Sequence, residues 1–116
     1  MPEHTYILHV TERSLWDAAC EHGEYRMSTR GRTLAQEGFI HCSTRAQLPS
    51  AAAFLYGSYE GPDELVVLVV APGRLDVPVK YEAPEPKAEK FPHVYGPIPV
   101  DAVVQVEPVA VTGRRR

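Results

Sequence analysis

The sequence contains only two cysteines and little that would mark a metal or redox protein. Cys20 and Cys42 are far apart and form no C-x-x-C pair, and no two histidines have the His-x-His or His-Glu-x-x-His spacing of zinc sites. It also has no signal-peptide pattern and no apolar run long enough to cross a membrane. We therefore expect a cytoplasmic protein whose thiols are reduced.

An excess of charge of one sign is also missing. The net charge of −3 over 116 residues gives no overall positive field for nucleic acid. Neither a Rossmann fingerprint nor a glycine-rich phosphate loop is present, so a nucleotide would have to bind in another way. The stretch 25–45 is locally cationic, because it contains four arginines and a single acidic residue, Glu37. The arginines are Arg26, Arg30, Arg32 and Arg45. It is either a solvated face or an anion-binding rim.

Proline, in contrast, is abundant. The 11 prolines fall mostly after residue 49 and predict a second half of strands and fixed loops instead of long helices. The length suits one domain, which we place at 1–111, followed by a basic tail at 112–116. Five or six strands with two helices inserted early predict an α+β fold. We expect a single compact domain with a split mixed or antiparallel β-sheet and two or three helices.

Hydrophobic patterns predict where the main elements lie. The unbroken β-branched run at 65–70 predicts a central strand buried on both faces. A first strand is predicted at 5–10, with Leu8 on one face and His9 on the other, and then a helix capped by Thr11 and ended by Gly23. The aromatic and proline-rich segment 91–97 predicts an irregular loop packed onto a site. The remaining predictions are a helical turn at 33–37 ended by Gly38, a helix carrying residues 47–55, an edge strand at 77–82 and a last strand at 102–109.

The segment 38–44 places an imidazole, a thiol and hydroxyls in an otherwise apolar strand. Alternation puts Phe39, His41 and Ser43 on one face and Cys42 on the other, which argues against a Cys–His catalytic pair. An unpaired buried polar group costs about 1–3 kcal/mol. The pattern therefore indicates either a small-molecule site at the end of a rigid strand or a half-exposed strand facing water.

Three histidines, His9, His41 and His93, lie in apolar or aromatic surroundings. One interpretation is a catalytic zinc site with an open position, as in a metal-dependent hydrolase. A second is a nucleotide site, in which the imidazoles bind ribose hydroxyls and an aromatic ring such as Tyr95 covers a base or nicotinamide. A third is a non-catalytic module that binds a ligand or partner without turnover.

Three blocks of the sequence resemble one known family. They are the strand around His9 with the Trp-bearing helix after it, the Glu-Gly-Phe-Ile-His-Cys-Ser block at 37–43, and the Phe-Pro-His-Val-Tyr-Gly-Pro-Ile block at 91–98. Together they resemble the bacterial domain family of unknown function DUF-952, over about residues 6–109. Members of that family look like a compact ADP-ribosyltransferase fold and are most similar to tRNA 2′-phosphotransferases. The resemblance implies a split sheet that holds NAD in a cleft.

The resemblance also implies roles for individual residues. His9 would hold a ribose, and His41 with Ser43 would fix the nicotinamide end of NAD. The predicted catalytic residues are His9, His41 and Glu82. The predicted cofactor-binding residues are His9, Thr11, Arg26, His41, Ser43, Gln47, His93, Tyr95 and Gly96.

The acceptor of a transferred ADP-ribosyl group stays open at this point. Glu82 would activate a neutral acceptor, whereas the four arginines would bind a phosphorylated one. Leu8 stands where the tRNA 2′-phosphotransferases have tyrosine, and a second, arginine-rich RNA-binding domain is missing. We therefore expect a small-molecule nucleotide as partner and neither a membrane nor a nucleic acid, with a phosphorylated RNA end kept among the acceptors. We expect a monomer.

Overall fold

The computed structural model describes residues 6–57, 59–61 and 63–109. The predicted basic tail at 112–116 lies outside these residues. Within them the chain forms three α-helices and ten strands, all paired antiparallel. The helices are α1 (Arg13–His22), α2 (Leu34–Glu37) and α3 (Leu48–Tyr56). The strands are β1 (Ile7–Glu12), β2 (Glu24–Tyr25), β3 (Met27–Thr29), β4 (Arg32–Thr33), β5 (Ile40–His41), β6 (Leu65–Val70), β7 (Val79–Glu82), β8 (Phe91–Val94), β9 (Ile98–Pro99) and β10 (Val103–Pro108).

The first sheet has β6 at its centre, between β1 and β10. All six residues of β6 are buried, which confirms the prediction of a central strand covered on both faces. Alternation divides the sheet between two cores: Ile7 and Leu68 pack with α1, and Leu8 and Val69 pack with α3. Each such side chain contributes about 1.5–3 kcal/mol by leaving water.

The second sheet has the order β5–β8–β7, with β8 in the middle. The prediction of an irregular loop at 91–97 was therefore wrong for its first half. The carbonyl of Pro92 accepts a hydrogen bond from the Cys42 N–H at 3.0 Å. Proline has no N–H with which to donate a bond to β5, and this is tolerated because the β5–β8 ladder ends at this point. β7 lies at the edge of this sheet, as Pro78 predicted.

The two sheets meet at segment 40–43. His41 pairs with His93 in the second sheet, and two residues later Ser43 exchanges two backbone hydrogen bonds of 2.8 Å with Leu8 in the first. Two shorter ladders, β2–β9 and β3–β4, complete the strands. The predicted α+β architecture is confirmed, with antiparallel strands and three α-helices where two or three were expected. The described residues form ten strands instead of the five or six predicted, because several of them are only two or three residues long.

The helix ends follow the glycine signals more closely than the capping signals. Gly23 ends α1 and Gly38 ends α2, both at a φ near 90° that favours glycine. The prediction that Thr11 caps α1 was wrong, because Thr11 continues β1 and the N-cap is Glu12. A capping box led by Thr33 opens α2. In the part of the chain described here, no helix has the length and apolar character needed to span a membrane.

Candidate functional site

One face of the second sheet carries a row of imidazole, aromatic and charged side chains. Alternation sends Ile40 and Val94 into the core, so that their neighbours His41 and His93 lie directly opposite each other on the other face. Lys80 of β7 lies opposite His93 on its second side. Residues two positions away share this face, and these are Phe39, Glu82, Phe91 and Tyr95.

This face forms part of a cleft of about 940 Å³, large enough for a nucleotide-sized ligand. Across the cleft, α3 contributes Ala51 and Phe54, and Phe54 is 87% exposed. Among the described residues that line it, two are acidic, Glu37 and Glu82, and none is lysine or arginine. The cleft is thus mainly apolar and aromatic, with negative charge at its wall.

Glu82, His93 and Tyr95 form a hydrogen-bonded cluster at this wall. Oε1 of Glu82 accepts from His93 Nδ1 at 2.8 Å and from the Tyr95 hydroxyl at 2.5 Å. These bonds, that of Tyr95 first, lower the pKa of Glu82, and the carboxylate in turn raises the pKa of Tyr95. Phe39 stacks on the His93 ring with centroids 4.1 Å apart and planes 13° from parallel. The imidazole is therefore held at its edge and on its face.

His41 lies beside this cluster, with its ring centroid 5.4 Å from those of His93 and Phe91. Burial, followed by the neighbouring His93, lowers the pKa of His41. The ring is therefore neutral at pH 7 and presents one donor and one acceptor nitrogen. Of the predicted site residues, the structure brings His41, His93 and Glu82 together in the cleft.

His9 lies behind the cleft wall, almost fully buried. Its Nδ1 donates to the carbonyl of His41 at 2.7 Å, and its Nε2 lies 2.7 Å from the hydroxyl of Tyr25, which is 2.8 Å from Thr11 Oγ1. Burial is the main cause that lowers the pKa of His9 to about 4, so the ring is neutral and Nε2 accepts the Tyr25 proton. The structure does not bring His9 or Thr11 into the cleft. His9 supports β5 from within the core, and Thr11 is bonded to the Tyr25 hydroxyl behind it.

Three further predicted binding residues have structural roles. Gln47 exchanges hydrogen bonds with Thr44 and donates to the carbonyl of Lys90 at 2.7 Å, which ties the start of α3 to the loop before β8. Gly96 provides close packing, since a Cβ there would lie 2.4 Å from a Val77 methyl group. Ser43 is buried at the junction of the sheets, and its Oγ has no partner among the described residues.

The arginines of the cationic stretch point to protein partners and do not line the cleft. Arg26, a predicted cofactor-binding residue, pairs with Glu24 and lies beside a different surface depression near α1. Arg45 forms a bidentate ion pair with Glu107, in which Nη1 and Nη2 donate to the two carboxylate oxygens at 2.8 and 3.0 Å. The other two arginines are also engaged: Arg32 with Glu37, and Arg30 with the Leu55 carbonyl and the rings of Tyr56 and Tyr59.

The three-histidine zinc site considered from the sequence is not formed. Within the described residues, no group of three or more His, Cys, Asp or Glu side chains is placed to bind a metal ion. Both nitrogens of His9 are already hydrogen-bonded inside the protein. A hydrolase mechanism with a metal bound by His9, His41 and His93 therefore has no support in this geometry.

The predicted site residues did not include the three phenylalanines that line the cleft. Phe39 and Phe91 share a strand face with His41 and His93, and this spacing of two was a usable signal. Phe54 could not be found in the same way, because its position across the cleft depends on how α3 packs against the first sheet.

The chain matches one protein family and resembles solved structures of another protein. Residues 10–106 match the model of a family described as protein of unknown function (DUF952). The chain belongs to this family. It is similar to protein CC0527 of Caulobacter crescentus, whose crystal structure gives 30% identity and a TM-score of 0.74 over 94% of this chain and 90% of that one. The solution NMR structure of CC0527 gives 30% identity and a TM-score of 0.69 over 93% and 87%. Among proteins with curated descriptions, none matches.

Proposed function

We propose that the cleft binds NAD⁺, or a closely related nucleotide, through its positively charged ring and that the protein transfers the ADP-ribosyl group to an acceptor. The observation that carries this proposal is the Glu82 carboxylate, which lies at the wall of an aromatic cleft without lysine or arginine among its described lining residues. A flat cation is the ligand best matched to such a site, because aromatic faces and a carboxylate both attract it. The nicotinamide ring of NAD⁺ is flat and cationic.

The same arrangement would favour cleavage of the nicotinamide–ribose bond. As this bond breaks, its electron pair goes to the ring nitrogen and positive charge develops on the ribose C1′. Oε1 of Glu82 is held by His93 and Tyr95, while Oε2 makes no hydrogen bond within the described residues. A carboxylate fixed in this way stabilises an oxocarbenium-like transition state without reorganising during the reaction.

The likeness to the ADP-ribosyltransferase fold is part of this proposal. It is supported by the division of the β-structure at segment 40–43, next to the cleft. The alternative of a phosphorylated acceptor has less support, because Arg26, Arg30, Arg32 and Arg45 are each engaged by other protein groups.

Comparison of NAD⁺ with NADH tests the proposal, since the reduced ring is uncharged and of nearly the same size. Titration with either nucleotide should change the NMR chemical shifts of the backbone amides of His41 and His93. We expect NAD⁺ to bind about threefold more tightly than NADH, as is typical of a charge pair near solvent. Glu82→Gln should abolish this preference. Glu85→Gln, in the exposed loop after β7, should retain it.

Absence of any shift at His41 and His93 with millimolar NAD⁺ would refute nucleotide binding at this cleft. Equal affinity for NAD⁺ and NADH in the wild-type protein would refute the role of Glu82. Binding of NAD⁺ without release of nicotinamide would identify the protein as the non-catalytic module considered from the sequence.

A further inference from the structure

We infer that His93 is the general base of this transfer and that the acceptor is a neutral hydroxyl group, of water or an alcohol. The inference rests on the proposed function and names its acceptor class and a further catalytic residue. The His93 imidazole lines the cleft, is fixed by a carboxylate and, among the residues that the structure describes, has no hydrogen bond at its second nitrogen.

The hydrogen bonds of His93 decide which nitrogen carries its proton. A carboxylate oxygen can only accept, so the contact of 2.8 Å with Glu82 places the proton on Nδ1. Nε2 then carries the lone pair, and within the described residues it has no hydrogen-bond partner. The His93 side chain is only 12% exposed, and the stacked Phe39 ring limits its rotation. An imidazole oriented by a carboxylate through Nδ1 is the arrangement that activates hydroxyl nucleophiles in many enzymes.

The charged and titratable groups around His93 suit a base that gains a proton during the reaction. Glu82 of β7 is anionic and would stabilise the imidazolium ion, and Tyr95 completes the same cluster. His41 of β5 is neutral because its pKa is lowered. Lys80 of β7 lies opposite His93 in register, but its Nζ is over the Tyr95 ring, 4.9 Å from the centroid.

In the proposed step the acceptor hydroxyl replaces nicotinamide on the ribose. The oxygen of the acceptor hydroxyl forms a bond to the ribose C1′, and its proton moves to Nε2 of His93. The C1′–nitrogen bond breaks, and its electron pair neutralises the pyridinium nitrogen, which releases nicotinamide. The His93 imidazolium, paired with Glu82, then loses the proton to solvent. A base of this kind has no use with a phosphate acceptor, which is already anionic.

The tautomer of His93 can be measured without any nucleotide. Long-range proton–nitrogen NMR correlations of the wild-type protein above pH 7.5 should show a protonated Nδ1 and an unprotonated Nε2. In Glu82→Gln the proportion of this tautomer should fall, because an amide can either accept from a protonated Nδ1 or donate to an unprotonated one. A proton on Nε2 in the wild-type protein would overturn the inference while leaving the proposed NAD⁺ site intact.

The second measurement follows nicotinamide release from NAD⁺ with water, and with added methanol as a simple alcohol acceptor. His93→Gln should lower the rate constant at saturation about 100-fold, within the range of general-base catalysis, with NAD⁺ affinity unchanged. The remaining rate should lose the pH dependence of the wild-type enzyme, and free imidazole should restore part of the rate to His93→Ala. His22→Gln, at the exposed end of α1, should behave as wild type.

The outcomes separate the two proposals. Unchanged nicotinamide release in His93→Gln overturns the general base alone. A wild-type protein that binds NAD⁺ but releases no nicotinamide overturns the general base together with the proposed transfer and leaves only the nucleotide site. Failure of the wild-type protein to bind NAD⁺ overturns the proposed function and the inference with it.

Discussion

Two histidines of this chain show how surroundings decide what a side chain does. His9 has both ring nitrogens bonded inside the core, and burial keeps it neutral. His93 lines the cleft and has one nitrogen bonded to a carboxylate, while its other nitrogen makes no hydrogen bond within the described part of the chain. The first imidazole can only stabilise the fold, whereas the second can exchange a proton with a ligand.

The buried His9 should make stability depend on pH in a defined window. Its pKa is about 4 in the folded protein and 6.5 when exposed, so as the pH falls the unfolded chain is protonated first. Stability should therefore decrease as the pH falls from about 6.5 towards 4. At about 1.36 kcal/mol for each pKa unit, the loss is on the order of 3 kcal/mol. Urea unfolding at pH 7.5 and pH 4.5 measures it.

The matched variants are His9→Gln, which removes the titrating ring but keeps a polar side chain, and His22→Gln, which removes an exposed one. The first should be less stable at pH 7.5 and show a smaller difference between the two pH values. The second should retain the wild-type difference. An equal pH dependence in all three proteins would contradict the role assigned to His9.

At the scale of elements, the least expected feature is that the Phe-Pro-His-Val segment is the central strand of a sheet. Pro92 lies where the ladder to β5 ends. After β8, the backbone at Gly96 packs closely against the side chain of Val77. This close approach accounts for a glycine that the family resemblance had suggested as a binding residue. The glycine allows the segment after β8 to pack on the loop before β7.

Gly96→Ala should therefore destabilise the protein by about 1–3 kcal/mol, the usual cost of overpacking. The new methyl group would lie 2.4 Å from Val77 Cγ1, and a β-branched side chain has little freedom to move away. Thermal or urea unfolding measures the loss. Gly73→Ala, where a Cβ meets nothing within 4 Å, should cost far less.

A second substitution, Val77→Ala, provides a stricter control. If packing is the cause, the double variant should recover part of the stability that Gly96→Ala loses. Recovery of nothing would point to the backbone at Gly96 and not to the contact with Val77.

For the whole molecule, local patterns predicted the elements better than the site. The sequence predicted the buried strand at 65–70 and the glycines that end α1 and α2. It also predicted which side of β1 His9 occupies. The pairing of His41 with His93 depends on the register between strands about 50 residues apart, which no local pattern specifies. The same holds for the arginines, whose partners include residues distant in sequence, such as Glu107 for Arg45.

The joint between the two sheets can be probed through the two thiols. Cys20 is exposed on α1, whereas Cys42 is buried in the core cluster that joins Ile40 and Val94 of the second sheet to Leu68 of the first. Burial also raises the pKa of the Cys42 thiol, so little reactive thiolate forms. We therefore expect Cys42 to react with a thiol reagent only when the sheets separate.

Because opening a core costs several kcal/mol, Cys42 should react at least about a thousandfold more slowly than Cys20 in the folded protein. Ellman's reagent with Cys20→Ser, which leaves only the buried thiol, measures the slow rate, and Cys42→Ser isolates the fast one. In denaturing urea the two rates should converge. If Cys42 reacts in the folded protein as fast as Cys20, the sheets separate easily at segment 40–43. His41 would then lack the rigid backbone that the proposed site requires.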